Sequence, residues 1–330
     1  MIAMEESKKP YVSIIVITYN QENCLPETLD SLLAQYCSYD YEIIVADDCS
    51  KDATRQVIAK YADENPCIKP VYNEKNLGLV GNYINAISFC KGKYIAMCDG
   101  DDLWNDKNKL QKQVDVMESD SSVGLVYTDV IINAVVTGQK YTRRCQDPQP
   151  NLFTQLLLGN FITISTACFR RELLQYVDFD DFKKEGFIMQ DYPMWLSFSH
   201  HTRFYHIPEP MVTYLIDHKV VNTDEVSLHA CRFDENTTKI RLHYLRQHPE
   251  ATTLTVDDIT DAHNRIGYRS GMNTNDRIRT RHYVSKIVKK SGYERVLNLA
   301  CHSKLLFWAY LAYRKRHAKP KSQLDMYFGN

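Results

Sequence analysis

Two groups of carboxylates stand out in the chain. Asp47, Asp48 and Asp52 flank Ser50, and Asp99, Asp101 and Asp102 surround Gly100. Each group follows an apolar run, EIIVA (42–46) and KYIAMC (93–98). Like charges gathered at one mouth repel unless something positive lies between them. A hard divalent cation with oxygen ligands is the simplest neutraliser, and such ions are usually shared with substrate phosphates. Gly100 frees the backbone between Asp99 and Asp101, so both carboxylates can turn toward one pocket. The competing use is local. Asp48 or Ser50 would cap a helix starting near Ala53, and Asp102 a helix carrying Leu110. Two acidic groups at strand ends favour the ion.

The elements that must position these groups are legible. YVSIIVITY (11–19) is a continuous apolar, β-branched run, as expected of a strand buried on both faces. Leu25, Leu29, Leu32 and Leu33 then recur at helical spacing, with Pro26 near the start. EIIVA, PVYN (70–73) and KYIAMC read as further strands. DATRQVIAKYA, GNYINAISFCKG (closed by Gly92) and KLQKQVDVMES read as helices. Strand and helix alternate four times in about 120 residues, which predicts a doubly wound α/β sheet. In such sheets ligands bind outside the carboxyl ends of the strands, where both acidic groups fall. No G-x-G-x-x-G follows the first strand, which disfavours a dinucleotide site. After Ser122 the pattern becomes mixed: strands with a turn near Gly138, a short helix LFTQLLLGN, a strand FITISTACFR, a helix from Asp191 to Ser199 and an extended RFYHIPEPMVTYLI. From Val221 onward it is mainly helical and polar.

The 330 residues carry a formal charge of −1 and 25% charged residues, which argues against a surface devoted to nucleic acid. Residues 271–330 hold 13 Lys and Arg against 3 Asp and Glu, so the remainder is acidic. The segment LLFWAYLAY (305–313) followed by RKRHAKPK is too short to span a bilayer. It could lie in the interface with its basic residues on anionic headgroups, or pack as a helix on its own domain. Ten scattered cysteines without C-x-x-C spacing, and no evident leader, predict reduced, buried thiols and a cytoplasmic location.

The ordered series SIIVITYN, EIIVADDCSKDAT, NLGLVGN and KYIAMCDGDDLWNDKNKLQKQ resembles the family 2 glycosyltransferases of the GT-A fold, closely over residues 11 to about 115 and loosely to about 220. The resemblance implies an α/β fold: a doubly wound, mainly parallel sheet flanked by helices, with a helical C-terminal extension. It implies a transferase domain over 1–220 (11–115 for the nucleotide-sugar, 116–220 for the acceptor) and a basic helical extension over 221–330. It places Ile17, Tyr19 and Asp48 around the nucleotide, with Tyr19 near a uracil or thymine and Asp48 accepting from the base N3–H. Asn76, Gly78 and Asn82 match a stretch placed beside the donor. The D-x-D motif maps onto Asp99 and Asp101, with Asp99 near the ribose or metal and Asp101 as ligand to Mn²⁺ or Mg²⁺.

The same resemblance supplies a general base at the start of a helix in the second half. Here the usual acidic pair reads Gln190 and Asp191, so Asp191 is the expected base, unless it serves only to cap its helix. A histidine that completes the metal site in relatives corresponds to His218, with Asp217 at the expected spacing. The implied activity is metal-dependent, inverting transfer from a UDP- or dTDP-sugar to a hydroxyl of a glycan or lipid-linked acceptor, in surface polysaccharide assembly at the inner membrane face. Alternatives are a non-catalytic sugar-nucleotide-binding protein of the same fold and a nucleotidyltransferase.

Overall fold

The computed structural model describes residues 9–135, 138–216, 223–273 and 277–317. Two compact units emerge, Met1–Lys219 and Val220–Asn330. The first unit opens with β1 (Val12–Thr18), α1 (Leu25–Leu33), β2 (Tyr41–Asp47), α2 (Thr54–Glu64), β3 (Ile68–Tyr72), α3 (Gly78–Phe89) and β4 (Tyr94–Asp99). It continues through β5 (Leu103–Trp104), α4 (Lys109–Ser119), β6 (Val123–Ala134), β7 (Gln139–Arg143), α5 (Leu152–Leu158), β8 (Cys168–Arg170), α6 (Phe179–Glu185), α7 (Asp191–Phe198) and β9 (Arg203–Ile216).

One sheet runs β3-β2-β1-β4-β8-β6-β9-β5, with β7 on β6. The four strands β1 to β4 are parallel, with β1 paired to β2 and β4 and β2 to β3; the apolar runs of β1, β2 and β4 suit burial on both faces, whereas β3 (IKPVY) lies at the edge and is partly exposed. The other half is mixed, with β8 antiparallel to β4 and β6, and β9 parallel to β6. Alternate residues of the parallel strands, such as Ile14, Val16, Val45, Ala96 and Cys98, share one core with Leu25, Leu29, Ile58 and Leu110 of α1, α2 and α4. The intervening residues face the opposite side of the sheet.

Several expectations are corrected. The run FITISTACFR pairs as a strand only over Cys168–Arg170; Ile164–Thr166 form a tight 3₁₀ turn. Helix α3 ends at Phe89, with Cys90 already extended, ahead of Gly92. Neither Asp48 nor Ser50 caps α2, whose N-terminal flank is Ala53, and Asp102 does not cap α4, which Asn108 precedes. Cys90, Cys98, Cys145, Cys168 and Cys301 are buried free thiols, whereas Cys24, Cys37, Cys49 and Cys67 are only partly covered.

The second unit comprises α8 (Thr223–Gln247), α9 (Val256–Asn273), α10 (Arg277–Lys286), α11 (Gly292–Ala300) and α12 (Lys304–His317). Its core gathers Tyr268, Met272, Tyr283, Val284, Ile287, Leu297, Phe307 and Leu311. Ser291 and Glu294 close a reciprocal capping box at the start of α11.

Candidate active site

The register fixes the mouth of the sheet. Thr18 of β1 lies opposite Asp47 of β2, and Ile17 lies opposite Asp99 of β4. With β1 between them, Asp47 and Asp99 stand about 10 Å apart at the ordinary strand spacing. The two acidic groups therefore share an end of the sheet but meet different partners.

The first group is neutralised by the chain itself, which corrects the expectation that an ion must sit between the groups. Asp47 is fully buried and pairs with Arg55 of α2 at 2.6 Å. Asp52 accepts from Thr54 and from the Glu22 backbone, lacing the first two loops together. Asp48, also buried, accepts from the Leu77 and Gly78 backbone N–H groups at 2.7 and 2.9 Å and from Asn73 at 2.9 Å. Asn76 donates to the Asp48 carbonyl. Asn82 accepts from Asn73 and donates to the Ala46 carbonyl, so it fastens α3 to β2 and β3 directly behind Asp48. Gly78 occupies the left-handed region at φ +74, which lets its N–H turn back to Asp48. Tyr19 is 43% exposed at the rim beside this clamp, and Ile17 is buried beneath it. Asn20 and Cys49 also hold positive φ (52 and 63), so two backbone turns at this mouth are strained.

The second group is different. The Gly100 N–H donates to the Ile17 carbonyl at 2.9 Å, and its own carbonyl accepts from Thr28 of α1. A Cβ at Gly100 would lie 2.8 Å from the Ile17 carbonyl oxygen and 2.4 Å from Gln21 Oε1, so only glycine fits this stitch. Asp102 is fully buried; it accepts from Ser165 Oγ and, at 3.3 Å, from the Leu215 backbone. Ser165 in turn accepts from the Asp99 backbone N–H at 3.1 Å. The 3₁₀ turn that interrupts the expected strand thus exists to deliver Ser165.

Asp101 and Asp191 both bear on Asp99. Burial, then repulsion from Asp101 and Asp191, raises the Asp99 pKa, and Asp99 Oδ1 is enclosed with no hydrogen-bond partner among the described residues. Burial likewise lifts the pKa of Asp191 to about 6, against the lowering effect of the Tyr192 N–H and of Asn160, whose Nδ2 donates at 3.1 Å. Asp191 is the first residue of α7, with Gln190 ahead of it and no side-chain cap. Tyr214 of β9 is held protonated by burial and by Asp102, Asp99 and Asp101.

The donor set suits a hard cation: carboxylate oxygens, one of them orphaned, with no lysine or arginine bonded to Asp99 or Asp191 among the contacts described. Among the described residues these carboxylates do not form a ready three-ligand cage. One or two carboxylates completed by phosphate oxygens and water is the usual coordination of Mg²⁺-like ions. His218 and Asp217 lie outside the described residues.

Sequence reasoning missed three contributors: Ser165, Asn160 and the anchoring role of Asp102. Only Asp102, adjoining the acidic motif, carried a signal.

A family model described as "Glycosyl transferase family 2" matches residues 13–177. The putative teichuronic acid biosynthesis glycosyltransferase TuaG of Bacillus subtilis is 30% identical over 189 residues, covering 57% of this chain and 72% of that protein. The UDP-Glc:alpha-D-GlcNAc-diphosphoundecaprenol beta-1,3-glucosyltransferase WfgD of Escherichia coli is 31% identical over 188 residues, covering 56% and 68%. The mannosyltransferase PcManGT from Pyrobaculum calidifontis, solved with GDP-Man and Mn²⁺, shares the fold at TM-score 0.51 and 17% identity, covering 95% and 89%. The chain spans about half the length (47%) of uncharacterized mycobacterial proteins that it matches at 32% identity.

Proposed function

We infer that this chain, which belongs to glycosyl transferase family 2, moves a sugar with inversion from a UDP- or dTDP-sugar to a hydroxyl of a glycan or lipid-linked acceptor during surface polysaccharide assembly. The observation that carries the reading is that the charges of Asp101 and Asp191 both bear on the buried Asp99 at the carboxyl end of the sheet, while burial raises the Asp191 pKa to about 6. A base that titrates near neutrality is deprotonated at working pH yet still takes a proton readily.

Asp191 accepts the proton of the acceptor hydroxyl. The freed oxygen forms its bond to the anomeric carbon as the bond to the diphosphate oxygen breaks, and the nucleoside diphosphate leaves. Asn160 holds the Asp191 carboxylate in place. Asp101 and Asp99 would hold Mn²⁺ or Mg²⁺, which when bound supplies charge neutralisation to the departing diphosphate. The Mn²⁺ of the PcManGT complex supports a divalent ion, and the donor in the name of WfgD supports UDP. Tyr19 at the rim would stack on the base. Asp48 retains one free lone-pair site for its N3–H, since a carboxylate offers about four and three are taken. The loop carrying Asn76 and Gly78, backed by Asn82, would border the donor.

A thermal-shift panel of UDP, dTDP and their hexose derivatives, with and without Mn²⁺, tests the reading. A ligand at a hundred times its Kd adds about 2.7 kcal/mol, which is a rise of several degrees. The expected result is a rise that needs the metal, with nucleoside diphosphate as the product of turnover. Pyrophosphate as product would point instead to a nucleotidyltransferase.

The second unit supports a peripheral contact with an anionic membrane. Helix α12 buries Phe307 and Leu311 in its core yet leaves Leu305 78% exposed, with Leu306, Trp308 and Tyr313 also exposed. A helix apolar on both faces is poorly suited to water, and this one lies in the basic stretch of the chain. No described helix is long and apolar enough to cross a membrane. Sedimentation with phosphatidylglycerol-containing vesicles is expected to capture the protein. Leu305→Glu combined with Trp308→Glu should weaken capture at least tenfold, whereas equal capture of both proteins would show that this face is not the contact.

A further inference from the structure

The mixed half of the sheet carries a second polar cluster that the reading above leaves without a task. His206 of β9 lies opposite Tyr127 of its parallel neighbour β6, and the two rings stack at 5.0 Å. The histidine side chain is buried, and both of its ring nitrogens meet carboxylates. Nε2 lies 2.8 Å from Asp129 Oδ1, and Nδ1 lies 2.7 Å from Asp147 Oδ1. Asp129 is buried on β6, where the pairing with β9 slips on both sides of it, an irregularity that re-aims a side chain. Asp147 is 81% exposed and belongs to the connection from β7 to α5. A carboxylate only accepts, so both ring nitrogens donate and the ring carries two protons. Charge-assisted bonds of this kind are roughly twice as strong as neutral ones.

The clasp holds more than one loop residue. Asp129 Oδ1 also accepts from the Cys145 N–H at 2.7 Å, and Tyr127 Oη donates to the Gln146 carbonyl. Gln155 of α5 donates to the Asp147 carbonyl at 2.9 Å. The connection is thus fastened to the sheet on one side and to α5 on the other. Two further contacts lead to the residues after α5: Arg143 donates to Thr163 Oγ1, and the Tyr127 and Phe161 rings lie 5.8 Å apart. Asn160 stands at the start of that segment. Its Oδ1 accepts from the Ile162 N–H and its Nδ2 donates to Asp191, each at 3.1 Å. A series of ring contacts and hydrogen bonds therefore joins His206 to Asp191.

Resting on the reading of Asp191 as the base, we propose that His206 is a positioning residue for it. By clasping Asp129 and Asp147, His206 holds the connection before α5 against Phe161 and Thr163. That fixes Asn160, and through it the Asp191 carboxylate. No member of the clasp belongs to the donor or metal residues named above, so its loss slows transfer and leaves donor binding as it was.

The test compares His206→Gln and Asp147→Ala with wild type. Asp147→Ala removes only an exposed side chain, so it folds even if the change at 206 does not. Asp147→Asn is the rescue, because its amide oxygen still accepts from Nδ1. Hydrogen exchange read by mass spectrometry should be faster over 144–150 and over 158–164 in the first two variants, and unchanged over β1 and β4. A displacement of about 1 Å remote from the chemistry can cost on the order of 10²-fold, and a partial loosening is expected to lower kcat about tenfold, with the donor KM unchanged. The acid limb of kcat/KM should move above about 6, because the Asn160 N–H that lowers the Asp191 pKa is no longer held in place. Asp147→Asn should restore the exchange, the rate and the limb. A lower Tm with wild-type kcat and an unmoved limb would make the clasp a structural staple and overturn the proposal. Faster exchange confined to 144–150 would overturn it too. Asp191→Asn as active as wild type would remove the base, and this role with it. An inactive Asp191→Asn beside fully active His206→Gln and Asp147→Ala would overturn the clasp alone.

Discussion

Asp191→Asn is expected to cut sugar transfer by about 10²- to 10⁴-fold, the range for loss of a positioned general base, while making the protein more resistant to heat. The substitution keeps an oxygen for Asn160 to donate to and keeps the shape of the first turn of α7. It removes only the capacity to take a proton. Burial lifts the Asp191 pKa from 3.8 to about 6, and the active form is the deprotonated one. Wild-type kcat/KM should therefore rise with pH through a limb near 6, and that limb should vanish in the variant. The sign for stability is opposite. A folded-state pKa above the unfolded value means that the native protein holds its proton more tightly. That contribution is complete below the unfolded pKa and is lost as pH rises through about 6. At pH 7.5 the buried charge is a cost that the amide lacks. A rise of this size corresponds to at most about 3 kcal/mol, and screening of a partly exposed group reduces this to about 1 kcal/mol. A rise of roughly 2–4 °C in Tm follows. Residual activity above a tenth of wild type, or a lower Tm, would remove Asp191 from the role of base.

Asp101→Asn should produce the second large effect, a loss of about 10³-fold in transfer at millimolar Mn²⁺ together with a rightward shift in the metal dependence. Taking one carboxylate from a site that depends on few protein ligands removes a large share of the attraction for the ion. The same change relieves repulsion on Asp99, whose pKa Asp101 helps to raise. The metal-free variant should then melt at or above the wild-type temperature, while the rise produced by Mn²⁺ and UDP together shrinks. Titration calorimetry with Mn²⁺ in the presence of UDP reads the metal directly. An unchanged metal midpoint with lost activity would show that Asp101 acts on the sugar and not on the ion.

The parallel half of the fold was legible because β1, β2 and β4 are buried on both faces and so are written as nearly unbroken apolar runs. The run FITISTACFR misled for a physical reason. Its β-branched residues suit a strand, but Ser165 must reach both Asp99 and Asp102, and the backbone tightens into a turn to place it. The second acidic group follows an apolar run that reads as a strand, and the register places Asp99 at the end of that strand. The first was over-read, because the cation that neutralises Asp47 is Arg55, a helix residue whose direction no local pattern discloses. The absent acid at position 190 drew attention in the sequence. In the structure Gln190 is buried ahead of α7, and burial raises the pKa of Asp191 beside it.

The crowding around Gly100 has an inherited consequence. Every single-nucleotide missense change of a glycine codon adds at least one carbon branch, and here that branch would collide with the carbonyl oxygen of Ile17. The collision would push apart the two carboxylates on either side of it. This position therefore has no gradual route to variation: descendants of this gene keep the residue or lose the site, and a saturation library should return it almost empty.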